Sequence, residues 1–374
     1  MTTITLNTKA IRNAVALTAN YTAKVNDFQG QVIISGRDGA LSVKATDYVE
    51  AVEVREIAFV CSDLTTDSFE TFAVDAKKLL TVLKAANTEQ LSIEIKEGLV
   101  QINYGGSKIK IQKFAKVEQV EFTIGETYEE LKLTNELIDG LKGVLHAIDT
   151  DNPKASMNGA LMELREDGMS FVSTDAKRLS IVENKVGCEI YRDAVIPKRA
   201  IQSIEKLFNG YELVSKIDDF KLVVEAKNLI YSTKLINNCF PEWRRIVPVG
   251  YSQSVTLSKT QIRETIKEAS LFDKELHFVL DDGSMLVKDL GGNTEVQAEY
   301  TKGSQSQTIE FSINSNYLVD FMDATLGEEI VLSFTDKLTP IGLTSQEGHQ
   351  EICMPIVTGE KKSSSEEENT EKAA

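Results

Sequence analysis

Residues 3–20 read TITLNTKAIRNAVALTAN, and this stretch predicts the unit from which the fold is built. It contains an apolar strand, a polar cap at Asn7 or Thr8, and a helix whose apolar face carries Ile11, Ala14 and Val15. Five further copies open at Val74-Asp75, Leu133-Thr134, Ile196-Pro197, Leu257-Ser258 and Ile313-Asn314. A repeated unit constrains the architecture more strongly than any single motif.

Turn and cap signals separate the copies. Alternating apolar strands meet at Asp38-Gly39, Glu97-Gly98, Gly105-Gly106, Asp167-Gly168 and Asp282-Gly283, which predicts hairpins. Pro197 is expected at the first position of the fourth helix, where its missing N–H would have no partner. Ser258 and Gln261 have the spacing of a capping box at the start of the fifth helix.

The order of elements recurs about every third of the chain. We therefore predict an α+β fold of three similar domains, residues 1–124, 125–251 and 252–357, each with two helices against antiparallel sheets and pseudo-two-fold symmetry. The alternative is a plain α+β protein whose helices look alike only because all are amphipathic. The shared element order, hairpin position and spacing favour the repeat. Residues 358–374, TGEKKSSSEEENTEKAA, predict a disordered acidic tail.

Composition limits the classes of function. With 42% hydrophobic and 26% charged residues, the sequence is typical of a soluble globular protein. No apolar run of signal-peptide or membrane-span length is present, so we expect a cytoplasmic protein with no membrane partner. The cysteines lie far apart and form no CxxC pair, which favours buried thiols in a reducing compartment: Cys61, Cys188, Cys239 and Cys353.

Catalytic motifs are not found in the sequence. His146, His277 and His349 have no neighbour at metal-ligand spacing, and neither a Gly-rich phosphate loop nor GxSxG occurs. The acidic pairs Asp218-Asp219 and Asp281-Asp282 fall at predicted hairpin turns, where Asp is favoured. We expect neither an enzyme nor a cofactor or metal, and rank catalysis well behind binding functions.

Four stretches carry a family resemblance: MNGALMEL (157–164), STDAKRLS (173–180), FPEWRRIVP (240–248) and MPIV (354–357). Over residues 1–357 the chain is similar to the bacterial DNA polymerase III beta subunits, the processivity sliding clamps. The resemblance implies the clamp fold and a head-to-tail ring of two chains, a homodimer, with helices lining the hole. It further implies a clamp that encircles duplex DNA, is loaded by an ATP-driven clamp loader, tethers the replicative DNA polymerase and recruits other clamp-binding-motif proteins.

The size of the hole favours two chains over one. Helices pack about 8–10 Å apart, so a circle of six leaves a hole about 8 Å wide and a circle of twelve about 26 Å. Duplex DNA is roughly 20 Å across. Only twelve helices, from two chains, would therefore encircle it.

The distribution of charge answers one objection to a DNA partner. The net charge is −16, which opposes nucleic-acid binding. However, the helix windows 8–20, 75–87, 197–209 and 258–270 are each net positive, so helices around a hole would turn cations towards phosphates. The alternative is that these are solvated faces of surface helices. The expected DNA-facing residues, to which the resemblance adds Lys24, are Lys9, Arg12, Lys24, Lys77, Lys78, Lys84, Lys198, Arg199, Lys206, Lys259, Arg263 and Lys267.

The resemblance also implies a groove that takes extended peptides from partner proteins. Its residues here would be Met157, Thr174, Lys177, Arg178, Leu179, Pro241, Arg245, Ile246, Leu338, Pro340, Met354 and Pro355. Methionine, branched aliphatic residues and prolines can repack around different apolar side chains, and the two arginines would meet polar peptide groups at the rim. The alternative is ordinary interdomain core.

The ring seam is implied in the same way. The edge strand at Lys108, Ile109 and Ile111 of one chain should meet Leu271, Phe272 and Glu295 of the other. The chain also departs from the family pattern: Ala176-Lys177 replaces Gly-His, Ala155-Ser156 replaces aromatic residues, and the acidic tail follows MPIV. A binding scaffold of the same fold without DNA encirclement is the alternative function.

Overall fold

The computed structural model describes residues 2–23, 30–62, 68–125, 128–131, 135–185, 191–300, 307–345 and 348–357. The α-helices in these ranges are α1 (Thr8–Thr18), α2 (Ala76–Ala85), α3 (Asn135–Val144), α4 (Lys198–Phe208), α5 (Lys259–Ala269) and α6 (Ser315–Ala324). They correspond to the six predicted helices.

The strands are, in chain order, β1 (Thr2–Asn7), β2 (Gln31–Arg37), β3 (Ala40–Thr46), β4 (Glu50–Cys61), β5 (Phe69–Asp75), β6 (Gln90–Ile95), β7 (Leu99–Tyr104), β8 (Ser107–Gln112), β9 (Glu129–Leu131), β10 (Gly159–Arg165), β11 (Gly168–Thr174), β12 (Arg178–Asn184), β13 (Arg192–Pro197), β14 (Val214–Ile217), β15 (Lys221–Ala226), β16 (Leu229–Lys234), β17 (Gln253–Ser258), β18 (Glu275–Asp281), β19 (Ser284–Asp289), β20 (Glu295–Glu299), β21 (Ile309–Asn314), β22 (Glu329–Phe334), β23 (Ile341–Thr344) and β24 (His349–Cys353). The α+β fold is confirmed.

Side chains cap three helices as the sequence predicts. The carboxamide or carboxylate oxygens of Asn7, Asp75 and Asn314 accept backbone N–H bonds in the first turns of α1, α2 and α6. Thr134, the expected cap of α3, lies outside the described residues. Two details were wrong. Pro197 is the cap, with an extended ψ of 144°, and α4 begins one residue later. Ser258 occupies the cap position of α5, but its side chain makes no capping bond.

The start of α5 shows a backbone hydrogen bond that recurs at three other helices. The first amide of the helix, that of Lys259, donates to the Glu328 carbonyl just before β22. The same arrangement recurs in α1 (Thr8 to Glu89), α2 (Ala76 to Gly30) and α6 (Ser315 to Lys274), each time ahead of a strand start. These reciprocal pairs are the expected internal two-fold symmetry in the first and last thirds of the chain.

The chain forms two compact units. The first comprises Met1–Leu141, Met162–Asp167 and Gly187–Cys239, and the second comprises Lys142–Leu161, Gly168–Val186 and Phe240–Ala374. Each unit combines strands from different thirds of the sequence. The domain bounds at 1–124, 125–251 and 252–357 stay a prediction, and the predicted tail lies outside the described residues.

One twelve-stranded sheet organises the first unit. Its main path is β8-β7-β6-β1-β4-β16-β15-β14-β9, and β2, β3 and β5 join it through β4. β4 pairs with β16 so that Val52 faces Tyr231, which joins the first third of the sequence to the second. The helices bury apolar stripes against this sheet, and Ile11, Val15 and Leu83 are 0% exposed. Burying each such side chain contributes about 1.5–3 kcal/mol.

The second unit contains two sheets around α5 and α6. One runs β20-β19-β18-β21, and the other includes the consecutive strands β11-β12-β24-β23-β22-β17. β12 pairs with β24 so that Arg178 faces Cys353, which joins the second third of the sequence to the last. Ile262 and Phe321 pack into the apolar core between them.

Two-residue turns close several hairpins. Asp38 and Gly39, and likewise Asp282 and Gly283, have positive φ angles of 52°, 74°, 42° and 89°. Paired positive angles match the right-handed twist of the flanking strands, which is why Asp-Gly was predictive there. Asp218 is also a turn residue, because its Oδ1 accepts the amides of Phe220 and Lys221.

The cysteine prediction was right at two positions and wrong at one. Cys61 and Cys353 are buried, whereas Cys239 is exposed because it lies in the irregular segment after β16; Cys188 lies outside the described residues. None of the helices in the described ranges has both the length and the apolar character needed to cross a membrane.

Candidate functional site

Most helical lysines of the first unit are available to a ligand. Lys9, Lys77, Lys78, Lys84 and Lys206 are exposed on α1, α2 and α4. Arg12 is different: its Nε donates to the Leu83 carbonyl at 2.7 Å, and its terminal nitrogen donates to the Ala86 carbonyl. Arg12 thereby satisfies carbonyls at the end of α2, and its charge complements the negative end of that helix.

Arg199 is held by acidic neighbours in the same unit. Its guanidinium lies 2.6 Å from Asp47 Oδ2 and 2.6 Å from Glu50 Oε2. Glu50 is buried and also accepts hydrogen bonds from Tyr231 Oη at 2.5 Å and Ser203 Oγ at 2.8 Å. Burial alone would lower the pKa of Arg199, but Glu50 and Asp47 raise it, so the cation persists. Lys198, next to it, is half-buried.

The cations of α5 divide into buried and exposed. Lys259 is only 8% exposed, and its Nζ donates to the carbonyls of Thr325 at 2.7 Å and Leu326 at 2.9 Å, at the end of α6. Lys259 is therefore removed from the expected DNA-facing set, since its ammonium caps a helix. Arg263 pairs with Asp323 at 2.8 Å, while Lys267 is exposed. Lys24 lies outside the described residues.

A buried charge network lies beside the expected groove residues in the second unit. Arg178 contacts Asp320 at 2.7 Å and Asp175 at 3.1 Å, and donates to the His146 carbonyl at 2.8 Å. Its guanidinium also lies 4.7 Å from the centre of the Tyr317 ring. Burial alone would lower the pKa of Arg178, but its carboxylate neighbours raise it. Arg178 thus links the turn at Asp175 to α6. Because Arg178 is buried, it does not fit the expected role at the rim of the peptide groove.

Two histidines complete this network. His146 Nε2 lies 2.5 Å from Glu351 Oε2, and His349 Nε2 lies 2.9 Å from Ser180 Oγ. The two rings are 6.1 Å apart, although they looked isolated in the sequence. Burial is the main cause that lowers the pKa of His349 to about 3, and the nearby His146 and Lys259 contribute to the same shift. Among the described side chains, no group of three or more His, Cys, Asp or Glu residues could hold a metal ion.

An apolar surface, here called the Met354 surface, lies at the end of β24 and comprises Met354, Pro340 and Leu338. Met354 is 45% exposed, and its amide donates to the Lys177 carbonyl at 2.8 Å. The pairing of Ile341 with Cys353 places Pro340 alongside Met354. Leu338, two residues earlier, is exposed, whereas four expected groove residues are buried: Met157, Thr174, Leu179 and Pro355.

The remaining groove residues lie around the short 3-10 helix Trp243–Arg245. Ile246 is 47% exposed, and Arg245 pairs with Glu242 at 2.5 Å. Pro241 is half-buried. The segment is joined to β23 through Tyr251, whose hydroxyl would lie 2.6 Å from a Cβ at Gly342. Only glycine at position 342 lets the Tyr251 ring approach so closely.

Comparisons with known proteins show what the chain is similar to. A family model, DNA polymerase III beta subunit, central domain, matches residues 130–242. The beta sliding clamp of Helicobacter pylori strain J99 is 26% identical over 292 residues, covering 75% of this chain and 78% of that protein. That of Vibrio cholerae is 20% identical over 319 residues, covering 82% and 85%.

The chain is similar to the DNA polymerase III beta subunits, and residues 130–242 match the central domain of that family.

Solved structures of beta clamps share its fold. The H. pylori beta clamp bound to a DNA ligase peptide aligns with a TM-score of 0.85 at 22% identity, over 95% of this chain and all 100% of that one. The Pseudomonas aeruginosa sliding clamp aligns with a TM-score of 0.86 at 17% identity, over 96% and 100%. The family resemblance predicted from FPEWRRIVP and the shorter stretches is confirmed.

The expected seam residues lie on or near two strands that end their sheets. β8 ends the sheet of the first unit, and β20 ends a sheet of the second. On β8, Lys108 is exposed, Ile109 is half-buried and Ile111 packs into the core. Near β20, Leu271 is 71% and Phe272 is 74% exposed, and Glu295 is exposed although it pairs with Lys288 at 2.7 Å.

Sequence analysis missed two buried acids of this chain. Glu50 and Glu351 are 2% and 0% exposed, yet neither was singled out. Strand alternation gave no clear signal for them, because the first four residues of β4 and the last three of β24 are all buried. A buried glutamate requires partners for its carboxylate, here Arg199 for Glu50 and His146 for Glu351.

Proposed function

We propose that this chain is a DNA sliding clamp. Two copies close head to tail into a ring around duplex DNA, tether the replicative DNA polymerase for processive synthesis and recruit other replication and repair proteins. The clamp works by topology and performs no catalysis. A clamp loader driven by ATP opens the ring, and the protein acts in the cytoplasm, where bacterial DNA lies.

The pair of open sheet edges carries the proposal. Outward positions of β8 hold Lys108 and Lys110, whereas those of β20 hold Glu295 and Glu299. Because the two edges differ in sequence and charge, β8 of one copy would pair with β20 of the other, which is a head-to-tail contact. A two-fold arrangement of the copies forms both such contacts at once. Joining them removes two exposed edges that would otherwise promote aggregation.

Exposed helical lysines support the DNA contact. Lys9, Lys77, Lys84 and Lys206 in the first unit and Lys267 in the second are exposed and lie on helices of the repeat. Single exposed cations give weak, sequence-independent attraction to phosphates, which suits a protein that slides. Arg12, Arg199 and Lys259 contribute less to this surface, because their donors are engaged within the chain.

Peptide capture at the Met354 surface supports the recruiting role. Met354, Leu338 and Ile246 are apolar side chains left exposed at 45%, 59% and 47%. Exposed apolar residues next to a strand end suit an extended peptide that places alternate side chains against them. The solved H. pylori relative was obtained with a DNA ligase peptide bound.

The test is retention on circular DNA. The chain is loaded onto nicked circular plasmid with a clamp loader and ATP, separated by gel filtration, and the circle is then cut once. We expect the protein to stay with the circle and to be lost after cutting. Retention on the linear product, or no loading, would refute encirclement and leave a DNA-independent binding scaffold.

A further inference from the structure

We propose that Asn209 is a site of spontaneous deamidation, at which aspartate or isoaspartate replaces the asparagine, and that Asn158 is protected from the same reaction. Both residues precede a glycine, in Asn158-Gly159 and Asn209-Gly210. Glycine favours the reaction because it has no side chain to shield its backbone nitrogen. The sequence therefore treats the two sites alike, and the structure distinguishes them. This inference does not depend on the proposed function.

The reaction is intramolecular and needs only water and hydroxide. Hydroxide removes the backbone amide proton of Gly210, and the nitrogen attacks Cγ of Asn209. A new N–Cγ bond closes a succinimide ring, the Cγ–Nδ2 bond breaks, and Nδ2 takes a proton from water and leaves as ammonia. Water then opens the ring at Cγ to give aspartate, or at the backbone carbonyl carbon to give isoaspartate. Either product carries a carboxylate in place of a neutral amide.

Asn209 and Gly210 lie at the corner of an exposed turn after α4. Asn209 has φ −55° and ψ 122°, Gly210 has φ 80°, and the Tyr211 amide donates to the Phe208 carbonyl at 3.0 Å, which is the pattern of a type II turn. Both residues are exposed. The Asn209 side chain makes no hydrogen bond to any residue in the described ranges. Its amide is therefore not held back from the attacking nitrogen.

The surroundings of Gly210 leave room for ring closure. To bring the Gly210 nitrogen onto Cγ of Asn209, the chain must rotate about the Asn209 Cα–C bond. A Cβ placed on Gly210 would have no heavy atom within 4 Å. The rotation therefore meets no packed neighbour, and the turn hydrogen bond from Tyr211 is the interaction that it disturbs.

Asn158 is held at both ends of its side-chain amide. Its Oδ1 accepts the Asn152 amide at 2.8 Å, and its Nδ2 donates to the Asn152 carbonyl at 3.0 Å. Gly159 is buried and is the first residue of β10. Ring closure at Asn158 would break both hydrogen bonds and displace the start of a strand. The two hydrogen bonds alone slow the reaction by about ten- to hundredfold.

Deamidation of Asn209 changes the charge at the end of α4. The last turn of this helix carries Lys206, whose charge complements the negative end of the helix. A carboxylate three residues after Lys206 opposes that complement. The modified helix therefore ends with less positive charge than the unmodified one.

Mass spectrometry can follow both sites in one sample. The full chain is incubated at mildly alkaline pH, either folded or in urea, and is then digested with trypsin. Cleavage after lysine and arginine yields residues 155–165, ASMNGALMELR, and 207–216, LFNGYELVSK, each with a single side-chain amide. Conversion of amide to acid is measured in each peptide, and chromatography separates the aspartate and isoaspartate forms. A sample digested without incubation gives the background.

In the folded chain we expect Asn209 to be converted about ten- to hundredfold faster than Asn158. In urea the two rates should become similar, because both dipeptides are then equally free to close the ring. Conversion of Asn209 in urea but not in the folded chain would overturn the modification site. Equal rates in the folded chain, or faster conversion of Asn158, would overturn the protection assigned to the Asn152 hydrogen bonds.

One variant assigns the signal to Asn209. Asn209→Gln lengthens the side chain by a methylene, so the nitrogen of Gly210 would have to close a larger ring, which forms more slowly. We expect the variant to lose conversion in peptide 207–216 and to keep the parent rate in peptide 155–165. Conversion of peptide 207–216 at the parent rate would show that the reaction does not take place at Asn209.

Discussion

Arg199 Nε lies 2.6 Å from Glu50 Oε2, and this ion pair joins α4 to β4 in the first unit. The Glu50 side chain is 1% exposed, whereas that of Arg199 is 56% exposed. Hydrogen bonds from Tyr231 and Ser203 complete the surroundings of the carboxylate. A sequence-based assignment of Arg199 to DNA therefore overlooks that its charge serves the fold.

Arg199→Ala should lower the free energy of unfolding by about 1–3 kcal/mol, because it leaves Glu50 buried without its cation. Urea unfolding followed by circular dichroism measures the change. Lys206→Ala is the matched control, since Lys206 is exposed on the same helix. This control should stay within about 0.5 kcal/mol of the parent and reduce the salt dependence of DNA binding. If Arg199→Ala left the free energy of unfolding unchanged, Arg199 would have no structural role.

Charge reversal at the sheet edges should dissociate and then restore the proposed dimer. A chain with Lys108→Glu and Lys110→Glu has two acidic edges, and a chain with Glu295→Lys and Glu299→Lys has two basic ones. Each should be monomeric alone because like charges face each other across both seams. Mixed together, they should form a dimer in which both seams are again complementary.

Sedimentation velocity measures whether each variant, and the mixture, is monomeric or dimeric. The mixed sample should recover the sedimentation coefficient of the parent dimer, and added salt should weaken it. If either double variant remains a dimer, the edges do not form the seam through these charges. If both are monomeric and the mixture fails to associate, the head-to-tail pairing is wrong.

Ala176→Gly should stabilise the fold. Ala176 has a φ of 70°, where an L-residue with a Cβ is strained and glycine is not. Relief of about 1–2 kcal/mol is partly offset by the greater freedom of glycine in the unfolded chain, about 0.4–1 kcal/mol, so we expect a net gain of about 0.5–1 kcal/mol. Thermal unfolding measures it. A loss of stability would show that the turn does not strain Ala176.

His349 should make stability depend on pH in the acid range. Its pKa is lowered to about 3 in the folded chain, so the unfolded chain binds a proton that the folded chain does not. Stability is therefore full above the ordinary histidine pKa of about 6.5 and decreases as pH falls towards 3. One proton gives a slope of at most about 1.4 kcal/mol per pH unit.

The comparison of parent and His349→Asn isolates this contribution. The variant loses packing against Phe321, so its absolute stability will fall, but its slope between pH 4 and 6 should be shallower. Measurements between pH 7 and 8, where the slope from His349 is absent, provide the reference. Identical slopes in both chains would contradict a buried neutral His349.

Local rules sufficed for much of the fold. The spacing of Ile11, Ala14 and Val15, the caps at Asn7 and Asp75, and the Asp-Gly turns each depend on interactions within a few residues. The family followed from FPEWRRIVP and the shorter stretches, because their residue order is specific without any three-dimensional information. Such features can be predicted before folding is considered.

The fate of individual charges could not be predicted in this way. From the sequence, Lys259 and Lys267 of α5 were both expected to face DNA. In the structure Lys259 caps α6, while Lys267 is exposed. The difference depends on carbonyls more than fifty residues away along the chain. Likewise Arg178 looked like a rim residue until Asp320 and Asp175 were seen to hold it.

The sequence by itself determined the repeat and the α+β class, because periodicity, caps and turns are short-range properties, and its specific stretches carried the family resemblance. Only the tertiary structure decided which cations are exposed, that His146 and His349 share one buried network, and that Lys177 is exposed beside Met354. Those properties depend on long-range strand pairing, which sets burial and brings opposite charges together across hundreds of residues.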